Sequence, residues 1–420
     1  MDEWQLQRDR VARFSLALRR SYYEKHKCEG CYFEQPHGIA GNITESIGAW
    51  PEFIFRGTFC KRTFKGYCSP CFYSQFPINH KEKGARYESM LRRQIDYVLD
   101  HFDELVVERQ YEHGPDGSIN GTAIKFVMTP TGSFFDENEF PQRLRIEMLK
   151  KLKTKSDFYG RPIQLHIESH CEDWLDLDFY SKETVLEMSL LKSLNTRVIF
   201  GFESTDEYVR NVLYTKNLSK DKLEKAIASV QAQQLRAGVF IFAGLFSMND
   251  LLTIEDVKQS IIYALDHDLI PVLMFLNVQQ YTITDLLFQD KMISLLEPFT
   301  VMEIILFLIS ELEKHNSSVE WLIADPKGGP PVPEFNIFDC AQITTREHAE
   351  TIYQMVHSLR IDRNTHAFRE IASQLRATAN YQQYVQFLNA CSGRDTLVES
   401  TNQLLDHVER RIASYGGELT

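Results

Sequence analysis

The segment RPIQLHIESHCEDWLDLDFYSKETVLEMSLLKSLNTRVIFGFES, residues 161–204, decides the fold class. It contains two apolar, β-rich runs, IQLHIES (163–169) and RVIFGFES (197–204). A helix-like run, KETVLEMSLLKSL (182–194), lies between them. Two such runs joined by a helix are typical of a parallel β-α-β unit with a right-handed crossover. The segment therefore indicates an α/β protein built on a parallel sheet.

The same alternation continues on both sides of this segment. The other strand candidates are FIFRGTF (53–59), AIKFVMTP (123–130), GVFIFAGLF (238–246) and IPVLMFLNVQ (270–279). The other helix candidates between them are residues 86–102, 140–152, 220–235 and 253–267. Six strands alternating with helices predict a partial, TIM-like (β/α)6 barrel.

Three regions follow from this pattern. We assign residues 51–290 to the barrel core and residues 1–50 to an N-terminal extension. After about residue 290 the strand signal weakens, and we predict a mostly helical C-terminal region over 291–420. Ligands of parallel α/β proteins bind at the carboxyl ends of the strands, so the site is expected there.

Composition limits the function classes. The chain has 420 residues, of which 43% are hydrophobic, and a net charge of -12. An acidic chain has no long-range attraction for nucleic acid or for an anionic membrane, although a local basic groove stays compatible with it. No apolar run reaches the roughly 18 residues of a membrane span, and no export signal is visible. We therefore expect a cytoplasmic protein with no membrane partner.

The stretch FCKRTFKGYCSPCFYSQFP (59–77) follows the first predicted strand. It spaces Cys60, Cys68 and Cys71 as C-x7-C-x2-C. Three thiolates fit a [4Fe–4S] cluster that keeps one iron open for a small molecule. The alternative is a non-catalytic zinc site in which Cys28 and Cys31 join Cys68 and Cys71, which leaves Cys60 unused.

Four further motifs follow the cysteines in order. They are TGSFFDENEFP (131–141), IES (167–169), GFESTDEYVRNVLYTKN (201–217) and LNVQQYT (276–282). Together with the cysteine spacing, they resemble the radical S-adenosylmethionine (SAM) subunit of archaeosine synthase. They resemble more distantly the elongator-type radical SAM enzymes that modify tRNA. The resemblance implies a [4Fe–4S] cluster on Cys60, Cys68 and Cys71, reductive cleavage of SAM, and an electron donor such as flavodoxin or ferredoxin.

The resemblance also implies contacts to SAM. Gly132 and Ser133 match the turn that holds the SAM amino group, and Glu203 is the expected contact to the ribose or the amino group. Pro70 stands where an adenine contact is usual, so Phe72 or Tyr73 is expected to take that role.

Each of these positions also has a structural interpretation. Gly132 and Ser133 fit an ordinary strand-to-helix turn, and Glu203 fits a salt bridge to Arg197 or Arg210. Lys216 matches a family position but fits a solvated helix end equally well.

Two further positions are candidates for catalysis or substrate contact. Glu168 ends the third predicted strand, and Gln279 shares a face of the sixth with Asn277. Asn277 and Gln279 fit core hydrogen bonding as well. Separately, Cys28 and Cys31 are either a second metal site or unligated thiols.

Three functions stay open from the sequence. The first is a radical SAM enzyme that acts on a small molecule or metabolite, which the acidic charge favours. The second is a radical SAM enzyme that modifies a tRNA base by cleaving a C–N bond, which the motif order favours. The third is the non-catalytic zinc protein.

Overall fold

A computed structural model describes residues 3–26, 51–55, 60–62, 65–70, 85–108, 123–130, 132–315, 320–327 and 335–414. Five residues singled out from the sequence lie outside these ranges: Cys28, Cys31, Cys71, Phe72 and Tyr73. Within the described part of the chain, no helix is both long enough and apolar enough to cross a membrane.

In the described part of the chain, seven strands form one sheet in the order β1 to β7, and every neighbouring pair is parallel. The strands are β1 (Glu52–Phe55), β2 (Ile124–Pro130), β3 (Ile163–Ser169), β4 (Arg197–Glu203), β5 (Arg236–Ala243), β6 (Ile270–Phe275) and β7 (Leu322–Ile323). Sequential parallel pairing with helical crossovers makes a half-barrel, which confirms the predicted fold class. The two-residue β7, which pairs with Val272 and Leu273, was not predicted.

Thirteen α-helices are described. They are α1 (Glu3–His26), α2 (Ala85–Asp100), α3 (Gln142–Tyr159), α4 (Cys171–Leu175), α5 (Lys182–Ser193), α6 (Lys220–Ala232), α7 (Asp250–Asp266), α8 (Ile283–Gln289), α9 (Pro298–Lys314), α10 (Arg346–Asp362), α11 (Thr365–Arg376), α12 (Ala379–Ala390) and α13 (Leu397–Ser414). Short π-helical turns occur at Asp103–Glu108 and Val209–Leu213. Ser181, Ser219 and Asn249 cap α5, α6 and α7 by accepting a hydrogen bond from the third backbone N–H of the helix.

The two faces of the sheet bury different side chains. On β2, Phe126 and Met128 pack outward into the large core beneath the helices, whereas Val127 belongs to a smaller cluster inside the half-barrel. Ile199 and Phe240 extend this inner cluster on β4 and β5. Alternate residues of a strand point to opposite faces, so the outer face carries the folding core and the inner face is available for a site.

The first and last helices pack against each other. Arg10 of α1 forms ion pairs with Asp406 at 2.6 Å and with Glu409 at 3.1 Å, both on α13. Val11 and Phe14 of α1 share an apolar cluster with Leu405 of α13. Helix α1 is thereby fixed against the C-terminal helices as well as against the barrel.

Candidate metal and cofactor site

The loop that carries Cys60 and Cys68 follows β1 in the chain and lies at the carboxyl edge of the sheet. The thiols of Cys60 and Cys68 are both buried. Ser69 fixes the loop to the π-helical turn after β4: its N–H donates to the carbonyl of Tyr214 at 3.1 Å, and its hydroxyl donates to the carbonyl of Leu213 at 2.5 Å. Backbone bonds on both sides of Cys68 therefore hold this part of the loop in place.

Helix α1 closes the outer side of the same loop. The guanidinium of Arg19 donates to the carbonyl of Tyr67 at 3.0 Å and to that of Cys68 at 2.6 Å. Gly66 has φ +74°, and a Cβ there would lie 2.0 Å from the carbonyl oxygen of Ala12. Only glycine permits this close approach. Cys68 itself has φ +56°, a left-handed conformation that is unusual for a side-chain-bearing residue and that these contacts maintain.

A hydrogen-bonded chain connects Cys60 to the end of β3. Nε2 of His170 lies 3.7 Å from Sγ of Cys60, and Nδ1 of His170 lies 3.1 Å from Oδ2 of Asp173. Asp173 also pairs with Lys61, whose Nζ lies 3.2 Å from Oδ2 of Asp136. Burial lowers the pKa of His170 against the opposing effect of Asp173, which keeps the imidazole neutral near pH 7.

Two cations flank the buried thiols. Arg62 pairs with Glu172 and donates to the carbonyl of Lys216 at 2.5 Å. Burial alone would lower the pKa of Arg62, but the charges of Cys68 and Glu172 outweigh it and raise that pKa. Burial opposes protonation of Lys216 in the same way, and the charges of Cys68 and Glu203 overcome it and raise its pKa. Both groups therefore favour negative charge at this site.

Glu203 ends β4, as predicted, but its ionic partner is neither of the expected ones. Its Oε1 lies 2.5 Å from Nζ of Lys216, whereas Arg197 pairs with Glu320 and Arg210 donates to backbone carbonyls. Lys216 is correspondingly not a solvated helix end. The interpretation that paired Glu203 with Arg197 or Arg210 is wrong, because Lys216 occupies the space next to its carboxylate.

Gly201 makes the space for this pair. A Cβ at Gly201 would lie 2.6 Å from Nζ of Lys216 and 3.0 Å from Oε1 of Glu203. Glu203 adopts φ +72°, which is strained for a residue with a side chain. The missing side chain at Gly201 and the strained backbone at Glu203 together place an ion pair at the carboxyl end of β4.

The turn at Gly132 and Ser133 binds a carboxylate of the protein itself. The Ser133 N–H donates to Oε2 of Glu139 at 3.1 Å, and a Cβ at Gly132 would lie 2.2 Å from the same oxygen. The fully buried Ser133 hydroxyl lies 3.0 Å from Oγ of Ser169 and accepts from the His170 N–H at 3.1 Å. Burial and the charge of Asp136 raise the pKa of Glu139 to about 8. The turn therefore joins β2 to the end of β3.

The two candidate catalytic residues occupy different positions. Glu168 lies near the carboxyl end of β3, where burial and then the charge of Glu203 raise its pKa to about 7. Strand β6 ends at Phe275, so Gln279 lies beyond it in a loop, where its carbonyl accepts from the Thr282 hydroxyl at 2.7 Å. The expectation that Asn277 and Gln279 lie on the sixth strand is wrong, because Val278 leaves the parallel sheet and pairs with Phe335 in antiparallel orientation.

No group of three or more metal-binding side chains occurs among the described residues, which include Cys60 and Cys68 but not Cys71. Thiolates are the donors that iron–sulfur clusters take, and the flanking cations Arg62 and Lys216 match the negative charge of such a group. The Arg62 Nε is buried and has no hydrogen-bond partner among the described residues. The described part of the site therefore fits an anionic, thiolate-bound cluster.

Sequence reasoning missed His170 and Asp173 and undervalued Lys216. Both missed residues follow directly on the IES motif, in IESHCED (167–173). Their position after the strand was a usable signal, because residues just past a parallel strand line the carboxyl edge.

Comparison with known proteins gives little direct identification. No protein-family model matches the chain, and no curated protein matches it. One similar solved structure is the archaeal Methanocaldococcus infernus Elp3 with an N-terminal deletion (1–46), at 14% identity and a TM-score of 0.38. This match covers 56% of the present chain and 55% of that chain, so it spans about half the length of each.

Proposed function

We propose that this protein is a radical SAM enzyme in which Cys60, Cys68 and Cys71 hold a [4Fe–4S] cluster. The observation that carries the proposal is the burial of Cys60 and Cys68 at the carboxyl edge of the half-barrel, within electrostatic reach of the cations Arg62 and Lys216. Neither a solvated surface loop nor a structural zinc knuckle requires burial at the carboxyl edge of the sheet. Neither requires contacts from three separate elements to hold the loop in place. When bound, the cluster would supply the electron for reductive cleavage of SAM.

The protein's own groups hold and shield this site. Ser69 and Arg19 fix the backbone of the loop, and His170 lies against the thiol of Cys60. Arg62 and Lys216 would offset the charge of the thiolates and of the cluster. Burial of the thiols excludes water, which protects reactive intermediates from side reactions.

The same edge carries the proposed SAM contacts. Glu203, held by Lys216, is the proposed contact to the ribose or the amino group, and Phe72 or Tyr73 is the proposed contact to adenine. The hydroxyl of Ser133 is already engaged by Ser169 and His170, so the SAM amino group would meet the backbone of Gly132 instead.

The proposed substrate is a small molecule or metabolite that enters the inner face of the half-barrel. Glu168, on that face, and Gln279, in the loop beyond β6, are the proposed substrate contacts. The electron donor would be a flavodoxin or a ferredoxin. Modification of a tRNA base is the alternative, and salt-dependent tRNA binding by the purified protein would favour it.

Anaerobic reconstitution tests the proposal. We expect about four irons and four sulfides per chain, a brown protein, and 5′-deoxyadenosine on incubation with SAM and dithionite. Cys60→Ala, Cys68→Ala and Cys71→Ala should each lose the cluster, while Cys28→Ala and the matched control Cys391→Ala should keep it.

Two outcomes would overturn the proposal. One is a colourless protein with stoichiometric zinc that depends on Cys28 and Cys31 but not on Cys60. The other is a fully loaded cluster that yields no 5′-deoxyadenosine.

A further inference from the structure

Two inward-facing side chains at one end of the sheet are not explained by the site above. The register pairs Glu52 of β1 with Val127 of β2, and Ile54 with Thr129. Val127 belongs to the inner apolar cluster, so Glu52 and Thr129, which share its face, also point into the half-barrel. Glu52 is 5% exposed and Thr129 is 2% exposed.

Glu168 lies on the same inner face. The register pairs Val127 with His166, and Glu168 follows two residues later on β3. Glu52 and Glu168 act on each other electrostatically: burial and then the charge of Glu168 raise the pKa of Glu52 well above its ordinary value. The two carboxyl groups are therefore close enough to compete for ionisation.

Thr129 lacks a partner within the described part of the chain, because its buried hydroxyl makes no hydrogen bond there. Glu52 is buried and Glu168 is half-buried. The charge of Glu168 acts on Glu52, and the charges of Glu203 and Lys216 act on Glu168. A buried polar group without a partner costs free energy. A ligand with several N–H donors would complete the unpaired hydroxyl and the two carboxyl groups together.

The local charges indicate which ligand fits. Lys216, the cation that acts on Glu168, is already engaged by Glu203 at 2.5 Å. Lys125 and Arg197 also share the inner face, but they lie at its amino end, where Arg197 pairs with Glu320 and the charge of Glu320 acts on Lys125. Burial lowers the pKa of His166 to about 3, so this neighbour adds no positive charge. A cation from outside the chain, placed between Glu52 and Glu168, would favour the ionised carboxylates that burial and the neighbouring carboxyl groups disfavour.

A side-chain network lies at the opposite end of the half-barrel. Glu320 accepts from Arg197 Nε at 2.9 Å and from Gln164 Nε2 at 2.6 Å, near the amino ends of β3 and β4. We therefore infer that a ligand reaches Glu52 from the carboxyl edge, past the proposed cluster and SAM site. One end of the ligand then lies beside Glu52 and Glu168 at the floor of the half-barrel, and the rest of it lies beside the proposed cluster and SAM site.

We propose that Glu52, Thr129 and Glu168 bind a protonated amine or an amidinium group of the substrate. The assignment of that ligand as substrate rests on the proposed function, whereas the binding site itself does not. Two carboxylates and a hydroxyl match the several N–H donors of such a group, and charge-assisted hydrogen bonds in a buried site are the strong ones. The inferred substrate class is a basic metabolite that presents its cationic end to the floor of the half-barrel.

Saturation-transfer NMR on the full-length protein tests the site with methylguanidine and n-butylamine as probes and butyramide as the neutral control. Both cations should bind and butyramide should not. Glu52→Gln and Glu168→Gln should each weaken binding by roughly tenfold or more. Thr129→Val should weaken it less, and the exposed Glu183→Gln should leave it unchanged. Melting temperatures of all variants identify any that fail to fold. If a glutamate variant fails to fold, Thr129→Val, which keeps both carboxyl groups, still tests whether this site binds the cations.

Two results would overturn the inference: butyramide binding as well as butylamine, or folded Glu52→Gln and Glu168→Gln proteins binding the cations like the wild type. Iron content and 5′-deoxyadenosine formation, measured on the same samples, report on the proposed function separately. A protein that takes up no iron yet binds methylguanidine through Glu52 would refute the radical SAM proposal and support the amine site.

Discussion

Nε2 of His170 lies 3.7 Å from the thiol of Cys60, although 110 positions separate the two residues in the chain. The contact joins the loop after β1 to the end of β3, and Asp173 orients the imidazole from its other side at 3.1 Å. The position of Cys60 thus depends on residues that are not themselves candidate ligands.

Asp173→Ala should destabilise this edge of the barrel. The substitution removes the acceptor of His170 and an ionic partner of Lys61, so we expect the free energy of unfolding to fall by about 1–3 kcal/mol in urea titrations. The exposed Asp176→Ala, one helical turn away, is the matched control. Equal stability of the two variants would contradict the role assigned to Asp173.

Gly66→Ala should separate helix α1 from the cysteine loop. The new Cβ would lie 2.0 Å from the backbone oxygen of Ala12, and alanine disfavours φ +74°. We expect faster hydrogen exchange in α1 and lower iron uptake, although no candidate ligand has changed. Gly393→Ala, where nothing lies within 4 Å of the new Cβ, should change neither measurement.

Gly201→Ala should disrupt the pair formed by Lys216 and Glu203. The added methyl would lie 2.6 Å from the lysine nitrogen, so one side chain must move at a cost of about 1–3 kcal/mol. If Glu203 contacts SAM, calorimetry should show weaker SAM binding by the iron-loaded protein. Unchanged SAM affinity would remove Glu203 from the proposed site and leave the cluster assignment intact.

Glu139 should make stability depend on pH. Its pKa in the folded protein is about 8, against an ordinary value of 4.5, so the folded state binds the proton more tightly than the unfolded chain. The stabilising contribution of protonated Glu139 is therefore complete below about pH 4.5 and is lost as the pH rises to about 8, with a slope of at most about 1.4 kcal/mol per pH unit.

Glu139→Gln isolates this effect. Glutamine keeps an oxygen that accepts from the Ser133 N–H, and it removes the ionisable group. Urea titrations between pH 5 and 8 should show a flatter profile for the variant, which should exceed the wild type in stability at pH 8. Parallel profiles for the two proteins would contradict the raised pKa of Glu139.

Local sequence patterns predicted most of the fold because each β-α unit carries its own signal. IQLHIES and RVIFGFES form strands over nearly the predicted residues, since buried parallel strands are continuous apolar runs. Strand β7 escaped prediction because two residues, Leu322 and Ile323, are too few to show a period. Residues 276–279 were mistaken for strand because apolar composition alone does not show where pairing ends.

The site was predictable only in part, for a different reason. Glu203 and the cysteines stand at strand ends, which sequence order reveals. The pairing of Glu203 with Lys216 depends instead on the missing side chain at Gly201 and on the positive φ of Glu203. Neither feature can be predicted from the periodicity of the sequence. The inward direction of Glu52 likewise follows from the register of β1 against β2.

The packing of α1 against α13 has a consequence for the order in which parts of the structure form during translation. Arg19 of α1 holds the carbonyl of Cys68, and α1 itself is held by Asp406 and Glu409. The ribosome releases these two acidic residues hundreds of codons after the cysteines. The packing of α1 against α13 therefore forms only after nearly the whole chain has been translated, and in the proposed enzyme the cluster site would be completed late in biogenesis.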